Sequence, residues 1–173
     1  VPGRGLVVAG TIWTGQIRVG DMLQLAGTEH PWRVREIEVH GEMAESSQAG
    51  FRTAVNLVGS GNGELSRGDE LIAPGTHDLS DVLVVELNMF ADTPAIRCPA
   101  MVQLHTGTNS CTARIVGVKQ LEPAASRIVL VQPERPLVAS YQQACLFRRP
   151  YPIGSFAGGR VLAATQRGSA KTK

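Results

Sequence analysis

The sequence predicts an all-β protein built from two small β-barrels in tandem. Short apolar runs rich in Val, Ile and Leu recur along the 173 residues, and each is bounded by Gly, Pro, Asn or Asp. Nineteen Gly and ten Pro are scattered without a period, which is typical of many short strands joined by turns. No apolar stripe with a helical period extends beyond two turns. With 43% hydrophobic and 18% charged residues, the chain has the composition of a globular protein.

The predicted strands follow one another at short intervals. They cover residues 6–13, 22–25, 32–39, 53–58, 82–89, 101–105, 112–118, 127–131, 144–148 and 160–163. A corner at Thr14-Gly15-Gln16 and a turn at Val19-Gly20-Asp21 separate the first strands, since Gly adopts turn conformations at little steric cost. Residues 124–126 and 139–144 allow a single helical turn each at most.

A domain boundary is predicted at Ala73-Pro74-Gly75-Thr76-His77-Asp78. Pro fixes one backbone dihedral and Gly frees the next, which suits a connector better than a strand. Residues 1–75 then form one barrel and residues 76–165 a second, since closure removes exposed strand edges. Residues 166–173 are basic and are predicted to be a flexible tail. Because the chain begins at Val1 without Met, we expect it to be a piece of a longer protein.

Several classes of site are missing from the sequence. Cys98, Cys111 and Cys145 include no CxxC pair, which argues against a disulfide framework or a zinc site and favours a reducing, cytoplasmic location. Gly168-Ser169-Ala170-Lys171-Thr172 has Ala at the essential glycine of a phosphate loop, and Gly59-Ser60-Gly61-Asn62-Gly63 leads into another turn. We therefore expect no cofactor and no metal in this chain. No run approaches the length of about 18 apolar residues that a membrane span needs.

Two segments of the first half together form a recognisable pattern. Residues 3–25 read GRGLVVAGTIWTGQIRVGDMLQL, and residues 49–57 read AGFRTAVNL. The net charge of +2 is too small to indicate a nucleic-acid binder by itself, so the motifs carry the functional argument. The glycine spacing and the later Ala-Gly-x-Arg loop resemble the second domain of the translational GTPases. In that family this barrel holds the aminoacyl end of a charged tRNA.

The resemblance implies roles for individual residues of the first barrel. Gly3-Arg4-Gly5 matches the family's GxG turn, against which the terminal adenosine packs; without a Cβ the backbone approaches base and sugar closely. Val7 would then be an apolar wall for the adenine. Glu38 and His40 match a Glu and a His placed two residues apart before the Ala-Gly loop. Glu38 would face the terminal ribose or base, and His40 the aminoacyl ester.

Arg52 separates two branches of the family. General elongation factors have Asn at this place, whereas the selenocysteine-specific elongation factor resembles Ala-Gly-x-Arg-x-Ala-x-Asn-Leu, the pattern of residues 49–57. A selenol is an anion at neutral pH, whereas the serine precursor carries a neutral hydroxyl. Two unit charges about 4 Å apart gain roughly 1 kcal/mol in water and about 4 kcal/mol at an effective dielectric constant near 20. Arg52 is thus predicted to bind the selenolate; the alternative is a surface Arg in an ordinary salt bridge.

The second half resembles the third domain of the same factors. Residues 153–162, IGSFAGGRVL, are similar to the Ile-Gly-Gly-Gly-x-Val-Leu segment of that domain's closing strand, with Phe-Ala as a departure. In the family this barrel contacts the acceptor and T stems of tRNA, mainly through phosphates, which position the RNA without reading its sequence. Arg148 and Arg149 are the candidates for such contacts, and a charged strand end is the alternative explanation.

The resemblance predicts a fragment of a selenocysteine-specific elongation factor that carries no catalytic residues. Its partners would be selenocysteyl-tRNA, the ribosome at recoded UGA codons and, through a further C-terminal region, a hairpin in the message, with no membrane. GTP and Mg²⁺ would bind the GTPase domain, outside this chain. Three alternatives stay open: the same domains of another factor such as elongation factor Tu, an enzyme using His105 and Cys111, and a β-barrel interaction module.

Overall fold

The computed structural model describes residues 6–59 and 65–166. Sixteen strands and no helix occur in these ranges, so the predicted all-β fold class is confirmed. The chain divides into two compact units. Unit 1 comprises Val1–Leu65 with Glu70–His77, and unit 2 comprises Ser66–Asp69 with Asp78–Lys173. No helix long and apolar enough to span a membrane is found in the described ranges.

Unit 1 consists of an antiparallel sheet and a short two-stranded ribbon. Its strands are β1 (Leu6–Thr11), β2 (Gln16–Arg18), β3 (Met22–Leu25), β4 (Pro31–Val39), β5 (Glu42–Ala44), β6 (Ser46–Gln48), β7 (Arg52–Val58) and β8 (Leu71–Ile72). The sheet order is β1-β7-β4-β3-β8, with β5 paired to β4, and β2 pairs with β6. The long strands predicted for this half of the chain are therefore present. The short strands β2, β5, β6 and β8 were not predicted.

The turns between the first strands depend on glycine. Gly15 has φ 75° and Gly20 has φ 95°, the left-handed region that side chains with a Cβ rarely adopt. The carbonyl of Gly15 accepts a hydrogen bond from the Ala49 amide at 2.9 Å. The corner after β1 is thus joined to the Ala-Gly loop that precedes β7.

Alternation along the strands builds the core of unit 1. Its buried side chains are Leu23, Trp32, Val34, Ile37, Val55 and Leu57. Because successive strand side chains point to opposite faces, the residues between them form the outer face of the sheet.

Unit 2 contains a closed six-stranded antiparallel barrel. Its strands are β9 (Val82–Met89), β10 (Ile96–Arg97), β11 (Ala100–Thr106), β12 (Asn109–Val116), β13 (Gln120–Leu121), β14 (Ser126–Pro133), β15 (Ala144–Arg149) and β16 (Gly154–Thr165). The barrel order is β11-β12-β14-β9-β16-β15, and β10 pairs with β13 outside it. The predicted closing strand at 160–163 is the end of the much longer β16.

The interior of this barrel is packed with fully buried side chains. Phe147 and Phe156 lie at its centre with ring centroids 6.3 Å apart. The thiols are free: Cys111 and Cys145 are buried and Cys98 is half-buried. Burial raises the pKa of the Cys145 thiol to about 12. These cysteines therefore pack as small apolar residues.

Candidate functional site

The parity of β7 decides which of its residues face outwards. Thr53, Val55 and Leu57 are buried, so Arg52, Ala54 and Asn56 lie on the outer face. The buried side chain of Thr53 is held in place by a hydrogen bond between its Oγ1 and Ser47 Oγ at 2.7 Å.

A β-bulge sets the parity of β4. Trp32 and Val34 are buried, and strict alternation would also bury positions 36 and 38. The register with β7 shifts between Val34 and Glu36, and after it Ile37 is the buried residue. Glu36 and Glu38 are therefore turned out to solvent.

Three strands then share one outer face. On β1 the exposed residues Val7, Ala9 and Thr11 pair with Asn56, Ala54 and Arg52 of β7. On the other side of β7, Asn56 pairs with Glu36 and Ala54 with Glu38. We call this surface the outer face; its residues are Val7, Ala9, Thr11, Glu36, Glu38, Arg52, Ala54 and Asn56.

The predicted residues Val7, Glu38 and Arg52 thus meet on one surface. Val7 lies at one end, Arg52 at the other, and Glu38 in the row between them. Arg52 is four residues from the partner of Val7 along β7, which corresponds to about 13 Å of strand. The small residues Ala9 and Ala54 leave the middle row shallow.

His40 lies just beyond the end of β4 rather than within the strand. With Gly41 it forms the two-residue turn into β5, at φ 54° and 86° respectively. Because Val39 pairs with Thr53, this turn lies beside the start of β7. The His40 ring contacts Phe51 edge-on, with centroids 5.9 Å apart and planes at 68°.

Among residues 6–59 and 65–166, the Arg52 guanidinium has no hydrogen bond and no ion pair. Arg35 and Glu36 on β4 form an ion pair with each other at 3.8 Å. Glu38 is the diagonal neighbour of Arg52 across the ladder, yet the two side chains form no pair. The salt-bridge alternative for Arg52 therefore has no support from this part of the chain.

Two residues of this region were given no role in the sequence analysis. Asn56 Nδ2 donates a hydrogen bond to Glu36 Oε2 at 2.9 Å, while Asn56 Oδ1 is buried without a partner in the described structure. Phe51 contacts His40 and also lines a cleft of about 300 Å³. The remaining cleft residues carry no charge; they are Gln16, Val39, Ala44, Ser46, Ser47 and Gln48. The cross-strand register places Asn56 between Val7 and Glu36.

In unit 2, Arg148 and Arg149 end β15 and are half-buried. The Nε atom of each is buried without a hydrogen-bond partner in the described ranges.

His105 and Cys111 do not form a joint site, because Cys111 is buried in the barrel while His105, next to buried Leu104, faces outwards. A separate cavity of about 520 Å³ is lined by Gln103, Ser110, Cys111, Thr112, Glu134 and Arg135.

Gly3-Arg4-Gly5 lies outside the described residues, as do Ser60–Gly63 of the glycine-rich loop and the basic tail from Arg167. Within the ranges that the structure covers, no group of three or more His, Cys, Asp or Glu side chains is arranged to hold a metal ion.

Comparison with known proteins identifies relatives of this chain, although no protein-family model matches it. It is 35% identical over 163 residues to the selenocysteine-specific elongation factor of Desulfomicrobium baculatum, covering 92% of this chain and 26% of that protein. The Escherichia coli K12 protein of the same name is 32% identical over 163 residues, 94% of this chain and 25% of that protein. Elongation factor 1-alpha of Ignicoccus hospitalis is 25% identical over 174 residues, covering 91% of this chain and 38% of that protein. The chain thus spans about a quarter of the length of the two selenocysteine-specific relatives.

Proposed function

Because this chain belongs to the family of selenocysteine-specific elongation factors within the translational GTPases, we propose that it binds the aminoacyl end of selenocysteyl-tRNA. The complete factor would deliver this tRNA to the ribosome at recoded UGA codons in the cytoplasm. Other parts of the complete factor would bind GTP with Mg²⁺ and a hairpin in the message. The chain itself is proposed to bind and select, without a catalytic step.

The observation that carries the proposal is the outer face of unit 1. It brings Val7, Glu38 and Arg52 onto one surface about 13 Å long. A nucleoside joined to an amino acid would lie along it, with the base at Val7, the ribose at Glu38 and the side chain of the amino acid at Arg52. His40, at the tip of the neighbouring turn, would contact the ester, and Gly3-Arg4-Gly5 would bind the terminal adenosine.

Arg52 supplies the selectivity in this arrangement. A selenolate about 4 Å from the guanidinium gains roughly 1 to 4 kcal/mol, depending on how far water is excluded. A seryl hydroxyl gains none of this Coulomb term. Since about 1.4 kcal/mol is a factor of ten in affinity, the preference is expected to reach about one to three powers of ten. The lack of a carboxylate partner for Arg52 in the described structure keeps its charge available to a ligand.

The test is the affinity of the chain for two hydrolysis-resistant ligands, selenocysteyl and seryl amides of 3′-amino-3′-deoxyadenosine. Wild-type protein should prefer the selenocysteyl ligand, and acidification below the selenol pKa should abolish the preference. Arg52→Asn should bind both ligands equally. Arg33→Ala is the matched control, because Arg33 is also exposed, pairs with Val58 of β7 and lies at the other end of the same sheet face.

If Arg33→Ala lost the preference for the selenocysteyl ligand as completely as Arg52→Asn, the preference would come from the overall positive charge of the protein and not from a selective pocket at Arg52. Equal affinity of the wild type for both ligands would instead place the chain among general elongation factors. No affinity for either ligand would refute the proposal for this chain.

For unit 2 we propose that the side chains of Arg148 and Arg149 bind tRNA phosphates. Their unpartnered Nε groups are donors that a phosphate oxygen would satisfy. The logarithm of the tRNA association constant should fall linearly with the logarithm of the salt concentration, and removing one phosphate-binding charge should make that slope shallower by about one unit. Replacing either Arg by Gln should therefore lower the slope without changing the preference between amino acids.

A further inference from the structure

Met43 borders the outer face of unit 1. It lies on β5, the strand that follows the turn at His40, and it pairs with Glu38 of β4. Residues directly opposite each other on paired strands share a face of the sheet, and Glu38 is turned out to solvent, so Met43 faces outwards too. One row across the sheet from β1 to β5 therefore consists of Ala9, Ala54, Glu38 and Met43.

The Met43 side chain is both exposed and close to the middle of this row. It is 68% exposed, the highest fraction among the four methionines of the chain. In the described ranges β5 pairs with β4 alone, so solvent reaches the side chain from the free edge of the strand. The Cβ atoms of opposed strand residues are about 5 Å apart, and a ligand held at Glu38 therefore also touches Met43. Because Ala9 and Ala54 leave the row shallow, the long and flexible Met43 side chain forms its wall at the β5 end.

We propose that Met43 is an oxidation site whose conversion to methionine sulfoxide weakens binding of the aminoacyl end. The oxidant is a hydroperoxide, and hydrogen peroxide is the simplest case. A lone pair of the thioether sulfur attacks one peroxide oxygen, the O–O bond breaks, and an S–O bond forms. The other oxygen leaves as water with both protons of the peroxide. The sulfur thus gives up two electrons and the peroxide takes them.

The sulfoxide changes the wall of the row in two ways. It replaces a flexible apolar group by a polar one, so apolar contact with the ligand is lost. Its oxygen is also a hydrogen-bond acceptor beside the Glu38 carboxylate, and it competes for any ligand hydroxyl that donates to Glu38. Partial loss of the contact of one Met side chain corresponds to binding that is about 3 to 30 times weaker. Arg52 lies two residues from Ala54 along β7, in the next row, so the preference for the selenocysteyl ligand should persist.

This inference rests on the proposed function, and its test keeps the ligands and changes the oxidation state of the protein. The chain is treated with hydrogen peroxide, the excess is removed, and dithiothreitol returns any reversibly oxidised cysteine to the thiol. Peptide mass spectrometry then measures the added oxygen at each methionine. Met43 and Met101, 68% and 56% exposed, should be oxidised before Met89, which is 5% exposed.

The affinities for the selenocysteyl and seryl amides of 3′-amino-3′-deoxyadenosine are measured after the peroxide has been removed. Oxidised wild-type protein should bind both ligands about 3 to 30 times more weakly than untreated protein, by the same factor for each. Treatment with the two methionine sulfoxide reductases, one for each sulfoxide epimer, should restore the affinities.

Three variants assign the effect to one residue. Met43→Leu has no thioether, so its affinities should be equal before and after peroxide, whatever their starting value. Met43→Gln has a permanent polar acceptor at this position and should bind like oxidised wild-type protein. Met101→Leu is the matched control, because Met101 is similarly exposed but lies on β11 of unit 2, where it pairs with Arg114. This variant should remain as sensitive to peroxide as the wild type.

The possible failures are distinguishable. If wild-type protein with the sulfoxide at Met43 binds both ligands as tightly as before, the inference is refuted and the proposed function stands. The same holds if Met43 stays unoxidised while Met101 is converted, or if Met43→Leu loses affinity after peroxide as strongly as the wild type. If untreated wild-type protein binds neither ligand, the proposed function and this inference fail together.

Discussion

Replacing Gly159 by Ala should destabilise the barrel of unit 2 through a steric clash that the structure defines. A Cβ at this position would lie 2.6 Å from the carbonyl oxygen of Glu86, 3.0 Å from a methyl carbon of Val85 and 3.4 Å from the sulfur of Cys145. The first contact involves backbone, so it cannot be relieved by turning a side chain. Gly159 pairs with strands on both sides, β9 and β15, and a shift of β16 therefore disturbs two ladders. Overpacking of this kind typically costs about 1–3 kcal/mol, and we expect the upper half of that range.

The assay is thermal unfolding, with Gly158→Ala as the matched control. A Cβ at Gly158 would meet its nearest atoms, in Phe90 and Cys145, at ordinary distances of 3.9 and 4.0 Å. A cost of about 1–3 kcal/mol corresponds to a Tm decrease of roughly 5–20 °C in a domain of this size. Both Trp residues lie in unit 1 and both Tyr residues in unit 2, so tyrosine signals follow the affected barrel. If the two alanine variants unfold at the same temperature, the clash argument is wrong.

Three further predictions concern unit 1. Desolvation by burial raises the pKa of Glu70 from 4.5 to about 7; the folded state therefore holds the proton more tightly, and stability should fall between pH 4.5 and 7. Glu70→Gln should remove this dependence and gain about 1–2 kcal/mol at pH 8, after allowance for solvent screening, but nothing at pH 4, as measured by urea unfolding. Thr53→Val should cost about 1–3 kcal/mol because it leaves the Ser47 hydroxyl buried without its partner, and adding Ser47→Ala should recover part of the loss. Phe51→Leu should release the ring of His40, seen as loss of the ring-to-ring nuclear Overhauser effect, whereas Phe51→Tyr should preserve it.

The sequence predicted the long strands because each contains enough apolar residues to show alternation. It missed β2, β5 and β6, whose sequences QIR, EMA and SSQ are three residues long and mostly polar. Such strands form because neighbouring turns bring them beside a partner, as the corner at Gly15 does for β2. Local composition carries little information about them, so they appear only when the tertiary fold is known.

The residues of the candidate site could be named from the sequence only in part, and for a comparable reason. Glu38 and Arg52 were given roles through their spacing in a family motif, whereas Asn56, although part of that motif, and Phe51 gain a place in the site through contacts with Glu36 and His40. Those contacts depend on cross-strand register, which a single sequence does not specify. The spacing of Glu38 and His40 likewise does not show that His40 lies in the turn beyond β4, where the structure places it.

Register also explains why these side chains face outwards. The bulge after Val34 shifts the parity of β4, without which Glu38 would point into the core. On β7, Gly50 at φ 91° and the hydrogen bond from its amide to Ile12 hold the start of the strand, so that Arg52 faces outwards and Thr53 inwards. A slip of one residue in either strand would exchange a charged side chain with a buried one. The outer face therefore requires two local irregularities as well as the residues that line it, and changes at Gly50 should affect binding by moving Arg52 while leaving its chemistry intact.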